Sequence, residues 1–379
     1  MRLALVCPYD FAYPGGVTTH VSRLDEELTR RGHYVRILAP SSRPAAELEH
    51  PRLAVLGKPF PLPSNGSIAR ITMSWGLLPR TKRLLREEQF DIIHLHEPFC
   101  PFLSTDVLRL SQTVNVGTFH AFYVKSKAYS LGRFLLRGYV RKLSARTAVS
   151  VPARDFVSRY FPGEYRLIPN GIDVDRFNPW VPPLPQFQDG MWNIVFVGRL
   201  EKRKGAHLLV KAFSQVKKEL PNSRLIVVGP GKRGRKQLDS LVAKLDLHDV
   251  VFAGMVPHDD LPRYYRSAHV FCAPALGQES FGMVLLEAMA SGAPVIASDI
   301  PGYAGVVGNG SGGVLTPKGD ADALAQSIVT LLKDEGRRQH MSLLERAYAE
   351  TYSWTHVTDQ VEALYRELLV GSEPSLALV

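Results

Sequence analysis

Two acidic residues eight positions apart, Glu279 and Glu287, stand around the start of an apolar stretch, Phe281-Gly282-Met283-Val284-Leu285-Leu286. The opening of a helix attracts phosphate through its unbonded amides, and carboxylates nearby can accept hydrogen bonds from hydroxyl groups. Together they suit a diphosphate flanked by a sugar and a ribose. Taken alone, the same residues also fit a capped helix with one solvated glutamate. They have company: Gly198-Arg199-Leu200-Glu201-Lys202-Arg203-Lys204-Gly205 sets cations directly after the apolar run Ile194 to Val197. Arg199 would meet a leaving diphosphate with a planar fork and Lys204 as a point charge; the competing reading is a solvated charged run. His120, in Gly117-Thr118-Phe119-His120, follows another apolar run. A polar side chain there is well placed for a ligand, although a single histidine also serves as a satisfied structural residue. Gly15-Gly16 would let the backbone approach a phosphate closely, or forms a plain tight turn.

Three further motifs carry less. Gly229-Pro230-Gly231-Lys232-Arg233-Gly234 has the glycine spacing of a dinucleotide site, yet proline occupies the turn, and Asp249 precedes its strand instead of ending it. Asp173-Val174-Asp175 spells a manganese-binding pattern but lies in an Asn-Gly-Ile-Asp turn. His94 and His96 share a strand face without a third ligand at suitable spacing nearby, so no metal site is assigned.

The elements that must position these residues alternate. Leu3 to Cys7 reads as a strand, Pro14-Gly15-Gly16 as a turn and Val17 to Arg31 as an amphipathic helix; strands at Val35 to Leu38, Ile92 to Leu95 and Val114 to Phe119 follow, with a helix over Arg80 to Glu88. The pattern restarts after Asn170-Gly171 and the proline-rich Pro179 to Pro185. Strands are expected at Ile194 to Val197, Arg224 to Val228, Val250 to Phe252, Val270 to Cys272 and Val295 to Ala297, with a helix from Gly205. Strand and helix in alternation predict an α/β chain of two doubly wound parallel-sheet domains facing each other across a cleft, with a linker near residues 169 to 191. Gly371 to Val379 reads as a frayed tail.

With 379 residues, 22% charged and 45% hydrophobic, the chain is long enough for two domains, and its composition excludes collagenous, disordered and disulfide-framework classes. The three cysteines, Cys7, Cys100 and Cys272, read as buried thiols. No apolar run reaches the roughly 18 residues of a membrane span, and the N-terminus does not read as a signal peptide, so a cytoplasmic protein is expected. A net charge of +10 favours an anionic partner. From His120 to Arg146 the chain carries Lys125, Lys127, Arg133, Arg137, Arg141, Lys142 and Arg146 and no acid, interleaved with apolar residues. Arg80, Lys82, Arg83 and Arg86 make a second such stretch, and both predict contact with an anionic membrane surface, with a solvated helix face as the alternative.

Pro14-Gly15-Gly16-Val17, His120, Asn170-Gly171-Ile172-Asp173, Gly198-Arg199 with Lys204-Gly205, and Glu279 with Glu287 and Ala290-Ser291-Gly292 together resemble the retaining GT-B glycosyltransferases of family 4. The likeness runs over nearly the whole chain in order. Within that family Val6-Cys7-Pro8-Tyr9, Pro63 to Arg70 and His96-Glu97-Pro98 are similar to the bacterial phosphatidylinositol mannosyltransferases. Phe99 stands where those enzymes tend to carry asparagine, and Ser64 replaces an aromatic residue.

The resemblance implies a Rossmann-like acceptor and membrane-facing domain over residues 1–168 with 352–379, and a Rossmann-like nucleotide-sugar donor domain over 169–351. It implies that Glu287 holds the ribose, that Glu279 and the amides of Phe281, Gly282 and Met283 hold the donor sugar, that Arg199 and Lys204 hold the diphosphate, and that His120 lies at the reacting centre. Tyr9, Ser67, Arg70 and Lys125 would face the inositol phosphate of the acceptor, and Gly16 would approach the donor. The expected donor is GDP-mannose, without an obligatory cofactor or metal, and nucleic acid is not an expected partner. The expected place is the cytoplasm, peripheral to the inner face of the cell membrane. The alternatives are a UDP-sugar with a diacylglycerol or soluble sugar acceptor, a nucleotide-sugar 2-epimerase, and a non-catalytic protein binding anionic ligands.

Overall fold

The computed structural model describes residues 1–13, 15–48, 50–64, 67–73, 76–123, 125–308 and 310–372. The chain divides into two compact units, Met1–Gly171 with the C-terminal segment from Trp354, and Ile172–Ser353.

The first unit is built on strands β1 (Arg2–Val6), β2 (Tyr34–Ala39) and β3 (Leu53–Val55), the hairpin β4 (Pro59–Ser64) and β5 (Ser67–Thr72), then β6 (Ile92–His96), β7 (Val114–Phe119), β8 (Ala145–Ala148) and β9 (Arg166–Leu167). Seven of these form one parallel sheet in the order β3-β2-β1-β6-β7-β8-β9. Helices α1 (Gly16–Arg30), α2 (Leu77–Glu88), α3 (Leu103–Leu110), α4 (Lys127–Val140) and α5 (Val151–Ser158) accompany them. The central strand β1 is apolar at every position after Arg2 because both faces of the sheet are covered. Its Leu3 and Leu5 enter one core while Ala4 and Val6 enter the other.

The second unit has a six-stranded parallel sheet of β10 (Trp192–Val197), β11 (Ser223–Val228), β12 (Val250–Gly254), β13 (Val270–Ala273), β14 (Val295–Ser298) and β15 (Val314–Thr316), in the order β12-β11-β10-β13-β14-β15. Its helices are α6 (Ala206–Glu219), α7 (Lys232–Lys244), α8 (Leu261–Arg266), α9 (Met283–Ala290), α10 (Pro301–Val307), α11 (Ala321–Lys333) and α12 (Glu335–Glu350). Helix α13 (Trp354–Ser372) closes the chain, and its Val357, Val361, Leu364 and Tyr365 join the core of the first unit. The fold is therefore α/β with two Rossmann-like sheets. The frayed tail expected from Gly371 lies, from residue 373 onward, outside the described residues; Gly371 itself belongs to α13.

Each sheet reverses its direction of growth once, between β1 and β6 in the first unit and between β10 and β13 in the second. Loops leaving neighbouring strands at such a switch point run to opposite faces and leave a crevice at the carboxyl ends. The loops that matter below leave these four strands and β7.

Candidate functional site

In the second unit the segment after β10 and the segment after β13 meet. Lys204 Nζ lies 2.8 Å from Glu279 Oε1, and Arg203 Nη1 lies 2.5 Å from the same oxygen. Arg203 Nε also donates to Glu201 Oε2 at 2.9 Å, and Arg199 Nη1 lies 3.0 Å from Glu201 Oε1. The result is an alternating row of charges, Arg199, Glu201, Arg203, Glu279 and Lys204. Gly205 makes the close approach possible: its φ is +76°, and a Cβ there would lie 1.8 Å from the Pro274 carbonyl oxygen. On the far side, a Cβ on Gly302 would lie 2.0 Å from the carbonyl oxygen of Glu279, so α10 starts directly against that residue.

Helix α9 opens at Gly282 (φ +105°), after buried Phe281, with no side chain capping it. Met283 is its first residue, and its leading amides supply donors and a positive dipole end. One turn on, Glu287 Oε2 accepts from the buried Tyr265 hydroxyl at 2.6 Å, and burial raises its carboxyl above the usual range while this bond opposes the shift. The sequence-selected Arg199, Lys204, Glu279, Phe281 and Gly282, on the segments after β10 and β13, and Met283 and Glu287, in α9, thus lie at one switch point. Three residues joined to them were missed: Glu201, paired with Arg199, then Arg203 and Tyr265. Arg203 lay inside the selected segment but, unlike Arg199, does not directly follow the strand-end glycine. Tyr265 sits in α8, outside every motif.

In the first unit, His120 follows β7 and belongs to a buried group of imidazoles. His96 Nδ1 and His120 Nε2 are 3.0 Å apart, and His20 of α1 donates from Nδ1 to Asn170 Oδ1 at 3.0 Å. His94 and His96, two residues on one strand face, stack at 4.4 Å between centroids, and His94 is bonded at 2.6 Å to both Tyr365 Oη and Thr118 Oγ1. Burial pushes His20 down to about 4 and His94 to about 3, and holds His96 and His120 well below the usual histidine range, so all four rings are neutral near pH 7. His20 had no role in the sequence reading, and its partner Asn170, 150 positions away, stood there only as part of a motif.

Glu97 Oε1 accepts from the amides of His120 and Ala121, both at 2.7 Å, and so fixes the backbone that carries His120. Its own φ is +54°, a left-handed conformation that is uncommon outside glycine. Burial raises its carboxyl to about 7, against the pull of the two amides. A carboxyl whose folded value lies above its unfolded one contributes stability that is full below about 4.3 and is lost as pH rises through about 7. Glu97→Gln should remove that dependence, so that the wild-type minus variant difference in unfolding free energy falls by on the order of 3 kcal/mol between pH 4.5 and 7.5. Urea unfolding of both proteins across that range checks it; a constant difference would contradict it.

Of the residues selected for the acceptor, Tyr9 bridges to Ile71 beside Arg70, and the Arg70 guanidinium lies 3.7 Å from the centre of the Tyr13 ring. Asp10 donates its amide to the Arg70 carbonyl. Lys125 is exposed in the segment before α4. Ser67 starts β5, but its side chain, like that of Ser64, is outside the described residues, as are Pro14, Asn65 and Gly66 entirely. Gly16 is the first residue of α1. Phe99 is a core residue, packed against Phe119 and Phe161. Cys7 and Cys272 are buried, Cys100 is partly exposed, and all three are free thiols.

Residues 14–176 match the family model described as Glycosyltransferase Family 4, and residues 185–347 match that described as Glycosyl transferases group 1. The chain is 37% identical over 379 residues to a phosphatidyl-myo-inositol mannosyltransferase of Mycobacterium leprae, covering all of both chains. It is 31% identical to the protein of that name from Propionibacterium freudenreichii, covering 96% of this chain and 94% of the relative. Among solved structures, sucrose-phosphate synthase from Thermosynechococcus elongatus superposes with a TM-score of 0.76 at 23% identity, over 98% of this chain and 100% of the other. HepE from Anabaena, in complex with UDP and glucose, gives 0.73 at 20% identity over the same shares. The chain belongs to the GT-B glycosyltransferases of family 4, group 1, and is a hexosyltransferase that works from a nucleotide-sugar donor.

Proposed function

We propose that this enzyme transfers mannose from GDP-mannose to a head-group hydroxyl of phosphatidylinositol, with retention of the anomeric configuration. The observation that carries this reading is the full-length 37% identity to an enzyme named for that reaction. The site chemistry agrees with it. Lys204 and Arg199 face the diphosphate, Glu279 with the amides of Phe281, Gly282 and Met283 takes the sugar, and Glu287 takes the ribose hydroxyls. In the first unit, Gly16 is assigned to the donor and His120 to the reacting centre. Tyr9, Ser67, Arg70 and Lys125 take the inositol phosphate.

In the transfer step the acceptor oxygen bonds to the anomeric carbon on the face the diphosphate leaves. The carbon to phosphate-oxygen bond breaks, and the acceptor proton passes to the departing phosphate. Stabilisation of that phosphate by fixed cations and helix amides is the main catalytic term.

The acceptor lies in a bilayer, and no helix among the described residues is long and apolar enough to cross one. Peripheral binding at the anionic inner face of the cell membrane therefore falls to the surface. In α4, Tyr129, Leu136, Tyr139 and Val140 pack on the core, whereas Leu131, Phe134 and Leu135 point outward beside exposed Arg133 and Arg137. An apolar stripe rimmed by cations suits an anionic lipid surface. Arg80, Lys82, Arg83 and Arg86 of α2 are spread along a second helix in the same unit.

Radiolabelled transfer from GDP-mannose and from UDP-glucose, each to vesicles with and without phosphatidylinositol, tests the reading. Lipid-dependent labelling from GDP-mannose alone is expected. Labelling only from UDP-glucose, or equal labelling without the inositol lipid, would overturn the donor or the acceptor assignment respectively.

A further inference from the structure

His20, His96 and His120 come from α1, β6 and the end of β7, and one ring nitrogen from each lies within 4.8 Å of the others. Their ring centroids are 5.1 Å (His20 to His96), 4.9 Å (His20 to His120) and 5.2 Å (His96 to His120) apart. A tetrahedral zinc ion with Zn–N bonds of about 2.0–2.1 Å, plus the roughly 1.1 Å from ring nitrogen to centroid, sets three imidazole centroids about 5.2 Å apart. The triangle of rings already has those dimensions. The two closest nitrogens, His96 Nδ1 and His120 Nε2 at 3.0 Å, would need to separate by only about 0.3 Å to share such an ion.

A further observation points to a ligand. His20 donates its Nδ1 proton to the Asn170 carbonyl oxygen, which leaves Nε2 with its lone pair. A carbonyl that fixes the tautomer in this way is the usual companion of a metal-bound histidine.

We infer that His20, His96 and His120 form a three-imidazole site for a divalent transition-metal ion of the zinc type, and that filling it takes the His120 ring out of the transfer reaction. One proton now sits between His96 Nδ1 and His120 Nε2. On binding it moves to the other nitrogen of its own ring, and both former partners give their lone pairs to the metal. The fourth position is left for water, as in three-histidine zinc sites. The site is unrelated to the diphosphate and is not a requirement of the transfer step. Its second half rests on the reading of His120 as a residue of the reacting centre.

The test is titration of the tag-free full chain with Co²⁺, read as the visible absorption of a tetrahedral complex, with competition by Zn²⁺ and with the imidazole ¹⁵N shifts as a second readout. One equivalent is expected to bind, with shifts at His20, His96 and His120. His20→Ala and, separately, His96→Gln should each lose that equivalent, while His207→Ala keeps it. Circular dichroism of each variant establishes that it is folded, and the wild-type shifts decide the matter if one is not. No tetrahedral complex in the wild-type chain, or shifts confined to other histidines, would overturn the site. Zinc should also abolish sugar transfer, reversibly on chelation. Full transfer with the site occupied would overturn the coupling and the placement of His120 at the reacting centre, and leave the binding result standing.

Discussion

Lys204→Ala and Glu279→Gln should each lower turnover by about 10²–10³ while the protein stays folded. Lys204 is the cation that the loop after β10 brings against Glu279, at 2.8 Å, and the neighbouring Arg203 holds the other side of the same carboxylate oxygen. In Lys204→Ala the carboxylate keeps Arg203 as its partner, so no buried charge is abandoned and the stability cost is small. On the proposed mechanism, what is lost is a positive charge fixed where the diphosphate gathers negative charge, an interaction that grows as the bond to the sugar breaks. The fall should therefore appear in kcat more than in KM for the donor. Glu279→Gln keeps the size of the side chain but turns an acceptor shared by two cations into a neutral amide, which frees both cations and weakens the hold on the sugar hydroxyls. Because the two residues act as one unit, the double variant should be little worse than the worse single variant. Steady-state kinetics with thermal unfolding as a control checks all three; near-normal turnover in either single variant removes that residue from the mechanism.

The strand-helix alternation was legible because parallel strands covered on both faces read as short apolar runs, and β10, β11 and β13 lie where Ile194, Arg224 and Val270 announce them. The grouping of the residues proposed for the donor was legible for a related reason. They sit on two continuous segments, Gly198 to Gly205 and Glu279 to Glu287, each following a strand, so local order in sequence became local order in space. The hairpin of β4 and β5 was hidden, because Pro59, Pro61 and Pro63 argue against a strand. Their spacing of two resolves the conflict: all three face the same class of cross-strand pair, the one that needs no amide donor, and Phe60 and Leu62 fall in the other. The imidazole cluster was hidden for a topological reason. His20, His96 and His120 meet only because β6 lies between β1 and β7 in the sheet, and a strand order that crosses over leaves no trace in residue spacing. His94 and His96 could be paired on a strand face, but the rings that complete the group come from elsewhere in the chain. Likewise Phe99 departs from the family pattern in a conspicuous motif, yet its ring fills the core between Phe119 and Phe161.

Phe134→Ser combined with Leu135→Ser should weaken binding to phosphatidylinositol-containing vesicles by about a hundredfold, without unfolding the protein. Leu131, Phe134 and Leu135 follow one another at helical spacing on α4 and are 83%, 63% and 82% exposed, far more than the inward Leu136 and Tyr139. Water gains nothing from solvating such a stripe, so its replacement by serine costs the fold little. In contact with a bilayer each ring or isobutyl group would be about half buried, worth about 1.5 kcal/mol, and two such losses amount to about 3 kcal/mol. Arg133 and Arg137 lie over the Phe134 ring, with guanidinium carbons 4.8 and 5.1 Å from its centre, so the same apolar anchor carries the cations proposed to meet the lipid phosphates. Their share is electrostatic and fades with salt, since exposed charges are screened beyond about 8 Å at physiological ionic strength. The apolar share does not fade. Vesicle flotation at low and high salt separates the two: the serine variant should lose binding at both, and Arg133→Gln with Arg137→Gln chiefly at low salt. Transfer to lipid in vesicles should fall in parallel, because the acceptor is reached only from the surface. Undiminished flotation of the serine variant would mean that α4 does not meet the membrane, and would leave the cations of α2 to be tested in the same way.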